Sequence, residues 1–302
     1  MRELFVKPDC YDSSLPRAEW ERERSAHRDR VRPWVEDRTG RAANGIKHPV
    51  YDFLFEYYAF RPAHLLRWSP GVGVRLEDST RNDADWREWT RDCEGGTVIA
   101  MDAFPSRRHE FLKWGIAYLD AIASREPVYG CFGLHEWAMV YRDSETRHRV
   151  PLRLSQSDTD SVVETGPLRC THFDAYRFFT PSAVPLNRFP LTRETTTQHD
   201  QPGCLHVNMD LYKFAFKLAP LTSTAILSDA FELAVAARVL DMRASPYDLS
   251  EFGFPPIRIE TREGREDYVT IQREIVYRGR PIRERLLGEY RRIASRLAGS
   301  SP

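Results

Sequence analysis

Apolar residues recur every three or four positions in several segments of the chain, a spacing that places them on one face of an α-helix. In the clearest of these, 108–124, Phe111, Leu112, Ile116 and Leu119 fall on one side. The segments with this pattern are 49–58, 108–124, 132–141, 204–218, 223–241 and 281–297, with the same spacing from Tyr268 to Val276. Each segment is predicted to be an amphipathic helix, so helices should make up most of the fold.

Strands are expected to be few and short. Segments 72–78 and 97–102 are predicted to be strands, and Val150–Leu154 is a further candidate. Residues 178–203 contain four prolines and little periodicity, which predicts a long loop. The predicted fold class is therefore mainly α with a minor β component (α+β), arranged as a single compact helical domain with long loops.

The N-terminal part of the chain differs from the rest in being polar and charged. Residues 1–44 are predicted to form a polar N-terminal arm, mobile or peripheral, with at most one exposed helix from Arg17 to Arg32. Residues 45–302 are predicted to form a single catalytic domain. No run approaches the ~20 apolar residues of a membrane helix, and the first residues lack the features of a signal peptide. We therefore expect a cytoplasmic protein with no membrane partner.

Charge and cysteine content limit the classes of function. Lys+Arg and Asp+Glu both number 44, which argues against a general nucleic-acid coat protein but permits an enzyme with a local basic face. The five cysteines include no CxxC pair, so neither a zinc knuckle nor a disulfide framework is indicated. They are expected to be small buried residues, with one acting as a metal ligand or nucleophile as the alternative.

The candidate chemistry is concentrated in three segments, 133–137, 170–174 and 204–210, which set a histidine near a carboxylate among aromatic residues. Groups that bind metals or move protons, in surroundings that exclude water, are typical of a polar site in an apolar pocket. His206 and Asp210 are four residues apart, so they share a face of the predicted helix. The pair suits metal binding or an oriented base; the alternative is an ordinary polar helix face.

The residues after Asp210 extend this candidate site. Lys213 lies three positions further on, and a carboxylate beside a cation stays ionised, which suits a nucleophile or an electrostatic stabiliser. Tyr212 lies between them and is a candidate for substrate contact.

The spacing His172-x-Asp174 matches the first two ligands of the facial triad of non-haem iron oxygenases. His206 is a candidate third ligand, and His135 is a further candidate. This hypothesis implies Fe(II) as cofactor. The alternative is a buried His–Asp pair that holds two segments together.

The adjacent residues His135 and Glu136 lie in an apolar predicted helix beside Trp137. Position 139 is Met139, so the HExxH pattern of zinc proteases is absent. In apolar surroundings the pKa of Glu136 should be raised, which suits a general acid or base.

Two further clusters have a structural and a functional interpretation. Asp241 and Asp248 follow the strongest helix and are predicted to close a salt-bridged turn around Arg243, with a substrate-binding turn as the alternative. Arg67 beside Trp68 suits contact with phosphate and stacking on a base, and equally suits core packing with a peripheral cation.

Four segments together resemble a bacterial family, common in actinobacteria, that carries the name 3-methyladenine DNA glycosylase and is distinct from the helix-hairpin-helix glycosylases. The segments are Lys47–Tyr58, Arg61–Gly71, Phe132–Tyr141 and Gln201–Lys213. The resemblance implies a hydrolase that flips an alkylated base into an aromatic pocket and uses a carboxylate on the N-glycosidic bond. From this resemblance we expect a role in DNA repair, with DNA as the partner.

The hypothesis that joins these observations is a hydrolase cleaving the N-glycosidic bond of a modified nucleobase, without a cofactor, acting on nucleic acid or a nucleobase-like small molecule. Its candidate catalytic residues are Asp210, His206, Asp174 and Glu136, and its candidate substrate contacts are Lys213, Arg177, Tyr212, Trp137 and Arg67. The alternative is a non-haem Fe(II) oxygenase acting on a small molecule, with metal ligands among His172, Asp174, His206 and His135. A non-catalytic binding protein is the second alternative.

Overall fold

The computed structural model describes residues 11–102, 104–143 and 150–299. Its longer helices are α1 (Arg17–Ala43), α4 (His109–Ala123), α6 (Gln156–Thr165), α9 (Leu205–Lys217), α10 (Thr224–Arg243) and α11 (Arg262–Gly299). The short ones are α2 (Phe53–Glu56), α3 (Pro62–Leu65), α5 (Leu134–Ala138), α7 (Phe173–Tyr176) and α8 (Thr196–His199). The strands are β1 (Ser13–Leu15), β2 (Val74–Glu77), β3 (Thr90–Cys93) and β4 (Gly96–Ile99). The predicted class, mainly α with a minor β component, is confirmed.

The strands form one small sheet in the order β1-β2-β4-β3, with β1 parallel to β2 and the other neighbours antiparallel. The two predicted strands correspond to β2 and β4. Strand β3 was not predicted, because its residues are mostly polar and it lies at the edge of the sheet. The candidate strand at Val150–Leu154 is reduced to a single bridge between Leu152 and Tyr247.

Helix α9 lies at the centre of the fold, packed against α10 and α11. Nearly all of its residues are buried, including the polar side chains of His206, Asn208 and Asp210. Because a buried polar group is costly unless it finds partners, these side chains need partners inside the fold, as Asn208 has in the carbonyls of Pro202 and Cys204. The central helix therefore carries candidate chemistry into the interior of the protein.

Helix α11 is continuous, whereas the sequence pattern predicted two helical segments separated at Pro281. Proline removes one backbone hydrogen bond and presses on the carbonyl four residues earlier, here that of Tyr277. Both residues lie on the exposed side of the helix, where water can bind that carbonyl. The helix therefore passes through the proline instead of ending at it.

The described part of the N-terminal segment, residues 11–44, packs on the rest of the chain. Trp20 in α1 is buried and donates its indole N–H to the carbonyl of Glu77 at 3.0 Å. His27 lies 2.9 Å from both the Ser228 hydroxyl on α10 and the carbonyl of Leu65. The expected exposed helix is therefore longer and half-buried, and residues 1–10 lie outside the described residues.

No helix among the described residues combines the length and apolar content that crossing a membrane requires.

Glu289 on α11 is a buried carboxyl whose ionisation should oppose folding. It accepts a hydrogen bond from the backbone N–H of Ser223 at 2.8 Å, and burial raises its pKa to about 7. Since its folded pKa is above the unfolded value, its contribution to stability is present at acidic pH and is lost as the pH rises through 7.

We therefore expect Glu289→Gln to stabilise the protein relative to wild type by roughly 2 kcal/mol more at pH 8 than at pH 5. Urea unfolding at the two pH values measures the difference. Glu274→Gln, at an exposed position of the same helix, is the control and should show no such pH dependence. Equal effects of the two substitutions at both pH values would contradict the assignment.

Candidate metal centre

Three helices bring polar side chains to one point in the core. Helix α5 supplies His135, central helix α9 supplies His206, and α10 supplies Asp241. The three side chains are buried, with at most 7% exposure. Helix α5 begins after Gly133, whose φ of 75° is in the left-handed region that favours glycine. That turn directs the short helix into the core.

Their potential ligand atoms lie near one another, and one ion could bind all three after a small inward movement, because two atoms about 2.1 Å from an ion are at most about 4.2 Å apart. One ligand atom from each of His135, His206 and Asp241 lies within 4.8 Å of the other two. The His135 and His206 rings meet edge to face, with centroids 4.6 Å apart. His135 Nε2 lies 2.9 Å from Asp241 Oδ1.

The contact between His135 and Asp241 is short, but it is not an aligned hydrogen bond. Both His135 Nε2 and Asp241 Oδ1 are buried and lack a hydrogen-bond partner of acceptable geometry within the described part of the chain. A buried unsatisfied pair is costly, and such pairs in native proteins call for an explanation such as a bound ion. This geometry would be explained if the His135 nitrogen and the Asp241 oxygen both faced one bound ion instead of each other.

Contacts around this set fix the orientation of its members. The buried Arg238 donates to Asp241 Oδ2 at 3.1 Å and to Glu136 Oε1 at 2.9 Å. Asp241 Oδ1 is therefore left on the side of the histidines. On the other side of the His135 ring, Cys131 Sγ lies 3.4 Å from Nδ1. A partner on Nδ1 leaves Nε2 as the nitrogen that could bind a metal, and the metal would displace the proton that the Asp241 carboxylate favours there.

The surroundings of His135 and His206 shift their pKa values in opposite directions. Burial lowers the pKa of His206 well below its ordinary range, and the neighbouring His135 lowers it further. Burial alone would also lower the pKa of His135, but the Asp241 carboxylate raises it well above its ordinary value. His206 is therefore neutral, the form in which imidazole binds a metal.

His172 stacks on His206 at a centroid distance of 5.3 Å, but its ring is held elsewhere. Its Nδ1 lies 3.1 Å from the buried carboxylate of Asp200, which also accepts from the Tyr118 hydroxyl at 2.6 Å. Asp174 lies apart from this pair. The HxD spacing therefore does not supply two adjacent ligands, and the carboxylate beside His135 and His206 is Asp241.

Asp210 and its neighbours form a second polar cluster. The Asp210 carboxylate accepts from the Tyr58 hydroxyl at 3.0 Å and pairs with Lys213. Lys213 also lies 3.9 Å from Asp174, which is 3.4 Å from Arg177. Asp210 is thus a fully engaged buried carboxylate, whereas Asp174 is partly exposed.

The remaining predicted site residues have structural surroundings. Trp137 is buried and donates its indole N–H to the Ala244 carbonyl at 2.8 Å. Tyr212 is buried in the aromatic core around α9. Arg67 pairs with Glu88 at 3.0 Å, away from the three histidines. These contacts favour packing for all three residues.

A cleft of about 520 Å³ reaches this cluster from the surface. Its floor includes His135, His206, Cys131, Tyr268 and Gln272. The arginines at its rim are Arg125, Arg169 and Arg188. The volume is within the range of sites for small organic ligands.

A smaller pocket of about 120 Å³ lies on the other side of His206. It is lined by the rings of Phe53, Tyr57 and Phe178 and by the charged residues Asp174, Glu136 and Arg238. His206 therefore separates two cavities of different character, one with arginines at its rim and one walled by aromatic rings.

Sequence reasoning assigned Asp241 to a helix-ending turn and did not single out Arg238 or Asp200. The sequence did contain a signal for Asp241 and Arg238, because they are charged residues three positions apart in an otherwise apolar stretch of α10. Asp200 lies in the long predicted loop, where no periodicity marked it.

Comparisons with protein-family models, with curated proteins and with solved structures find no match for this chain.

Proposed function

We propose that the chain is a metal-dependent enzyme whose centre is a divalent iron bound by His135, His206 and Asp241, acting on a small molecule in the 520 Å³ cleft. The observation that carries this proposal is the convergence of two buried imidazoles and a buried carboxylate, with His135 Nε2 and Asp241 Oδ1 2.9 Å apart but not in an aligned hydrogen bond.

The type of ligand supports iron as the ion. Two histidines and one carboxylate are the protein ligands of the facial triad in non-haem Fe(II) oxygenases. Two ligand atoms that are each about 2.1 Å from an ion lie about 3.0 Å apart when they occupy adjacent octahedral positions, at a right angle. In a tetrahedral site the same two atoms would lie further apart. The separation of 2.9 Å between His135 Nε2 and Asp241 Oδ1 supports adjacent octahedral positions.

Each neighbouring residue has a function in this arrangement. Arg238 binds the second oxygen of Asp241, which keeps the first oxygen for the metal. Cys131 contacts Nδ1 of His135 and orients the ring. Three protein ligands leave coordination positions for substrate and dioxygen, and His135 and His206 both face the cleft.

Metal binding by the whole protein tests the proposal. Protein stripped with EDTA and titrated with Fe(II) under anaerobic conditions is expected to bind about one equivalent, because the ligands converge on one point. Addition of nitric oxide should then give the electron paramagnetic resonance signal of a high-spin iron nitrosyl, which reports an open coordination position.

His206→Gln should abolish both results, whereas His64→Gln, at a half-buried histidine packed against Phe216, is the control and should retain them. Iron binding that survives His206→Gln, or an absence of stoichiometric binding in the wild type, would contradict the proposal.

A second candidate function is the hydrolysis of an N-glycosidic bond, as the resemblance to the 3-methyladenine DNA glycosylase family suggests. The observation that favours it is the small aromatic pocket, where Asp174 lies with Tyr57, Phe53 and Phe178. A flipped cationic base requires such rings and a carboxylate. Release of free base from alkylated DNA, lost in Asp174→Asn, would support this function over the first.

A further inference from the structure

Two arginines that line the cleft, both exposed, lie on adjoining segments of the chain. Segments 168–170 and 187–189 are joined by a hydrogen bond from the Arg188 N–H to the Leu168 carbonyl at 3.0 Å. The side chain of Asn187 accepts from the Cys170 N–H at 2.8 Å and donates to the Cys170 carbonyl at 3.0 Å. Arg169 and Arg188 are therefore carried on two connected segments at the mouth of the cleft.

These two guanidinium groups have no acidic partner of their own. Neither Arg169 nor Arg188 forms an ion pair with any residue that the structure describes, whereas Arg142, Arg153 and Arg238 each do. Glu126 is the acidic residue that lines the same cleft, and it is exposed to solvent. Two unpaired guanidinium groups at the same cleft are available to a bound oxyanion through charge-assisted hydrogen bonds.

The floor of the cleft offers an unpaired acceptor. Gln272 is 2% exposed, and its amide Nε2 donates to the Gly203 carbonyl at 2.7 Å. That contact fixes the orientation of the amide, because a carbonyl oxygen cannot face another carbonyl oxygen at this distance. Gln272 Oε1 is then buried without a partner among the described residues. It requires a hydrogen-bond donor from a ligand or solvent in the cleft.

We infer that the cleft binds a small organic molecule that carries a phosphate or a carboxylate, with its anionic group held at the rim by Arg169 and Arg188 and an O–H or N–H of its uncharged part donating a hydrogen bond to Gln272 Oε1 at the floor. This inference names the substrate class of the proposed metal enzyme, and to that extent it rests on the proposed function. The anion would be anchored at the mouth, and the uncharged part of the molecule would lie beside His135 and His206.

Binding to the metal-stripped protein tests the anion site separately from the metal site. Calorimetric titrations would use inorganic phosphate, succinate and adenosine monophosphate as probes, the last because it combines a phosphate with N–H donors. We expect at least one of these probes to bind, and Arg169→Gln/Arg188→Gln to weaken it about tenfold or more. Arg107→Gln/Arg278→Gln removes the same charge at exposed positions outside the cleft and should leave affinity within about twofold.

The probes distinguish the sources of the anion, and Gln272→Met tests the floor. Preference for succinate assigns a carboxylate substrate, and preference for a phosphate probe assigns a phosphorylated one. Gln272→Met should weaken adenosine monophosphate while leaving inorganic phosphate unchanged, because only the former reaches the floor. If no probe binds, or if both double variants lose affinity equally, the inference is overturned.

Iron titration of the same preparations keeps the two proposals apart. Loss of anion binding with iron affinity unchanged in Arg169→Gln/Arg188→Gln supports the anion site. Anion binding by a wild-type protein that takes up no iron would refute the proposed metal centre while leaving the anion site in place.

Discussion

Arg238→Met is expected to lower the free energy of unfolding by about 3–5 kcal/mol, the cost of leaving a buried charge without its partner. Arg238 is 1% exposed and is the cation that binds both Glu136 and Asp241. Its guanidinium also lies 4.1 Å from the centre of the Phe53 ring. Methionine preserves much of the volume, so the loss measures the charge and not a cavity.

Urea unfolding at pH 7, followed by circular dichroism, gives the size of this effect. Arg285→Met is the control, since Arg285 forms an exposed pair with Asp229 and should cost less than about 1 kcal/mol. The additional change Glu136→Gln should recover part of the loss in Arg238→Met, because one of the two carboxylates that lose Arg238 is then neutral. Similar small losses in both single variants would show that Arg238 does not neutralise the site.

Asp241→Asn is expected to lower the affinity for iron by at least about 100-fold, because changing a residue behind a ligand already costs 10–100-fold. Asparagine has nearly the same shape but cannot supply an anionic oxygen beside His135. Anaerobic competition against a coloured chelator measures the affinity.

Asp200→Asn is the matched control, because Asp200 is equally buried and contacts His172 but not the three proposed ligands. Its affinity for iron should stay within about tenfold of wild type. If Asp200→Asn abolishes binding and Asp241→Asn does not, the metal lies between His172 and His206 and the proposed ligand set is wrong.

The central helices could be predicted because burial imposes a regular pattern on them. Predicted segments 204–218 and 223–241 agree with α9 and α10 to within two residues at each end. Helix α1 was underestimated because its surface is densely charged, and only Trp20, His27, Val31 and Val35 mark its buried face. These residues are spaced seven, four and four positions apart, which fits one face of a helix.

The site was predicted in part, and the reason lies in its long-range contacts. His135 and His206 were candidate ligands because each lies in an apolar helix beside other polar groups. The helical pattern could not show that α5 and α10 meet at α9, so Asp241 was assigned to a local turn with Arg243. In the structure, Arg243 instead donates to the carbonyl of Pro255 at 2.9 Å.

The two candidate functions place their chemistry on different sides of His206. The aromatic pocket with Asp174 lies on one side of His206, and the cleft with its arginines lies on the other. Binding of iron or release of a base would therefore assign the chemistry to one side. A protein that showed neither, while still binding an oxyanion, would contradict both candidate functions and support the binding-protein alternative.

Anomalous X-ray diffraction at the iron edge, from crystals soaked anaerobically in Fe(II), tests the central claim most directly. The account predicts one peak about 2.1 Å from each of His135 Nε2, Asp241 Oδ1 and a ring nitrogen of His206. A peak at the sulfur atoms of Cys131 and Cys170, or no peak among the three side chains, would contradict it.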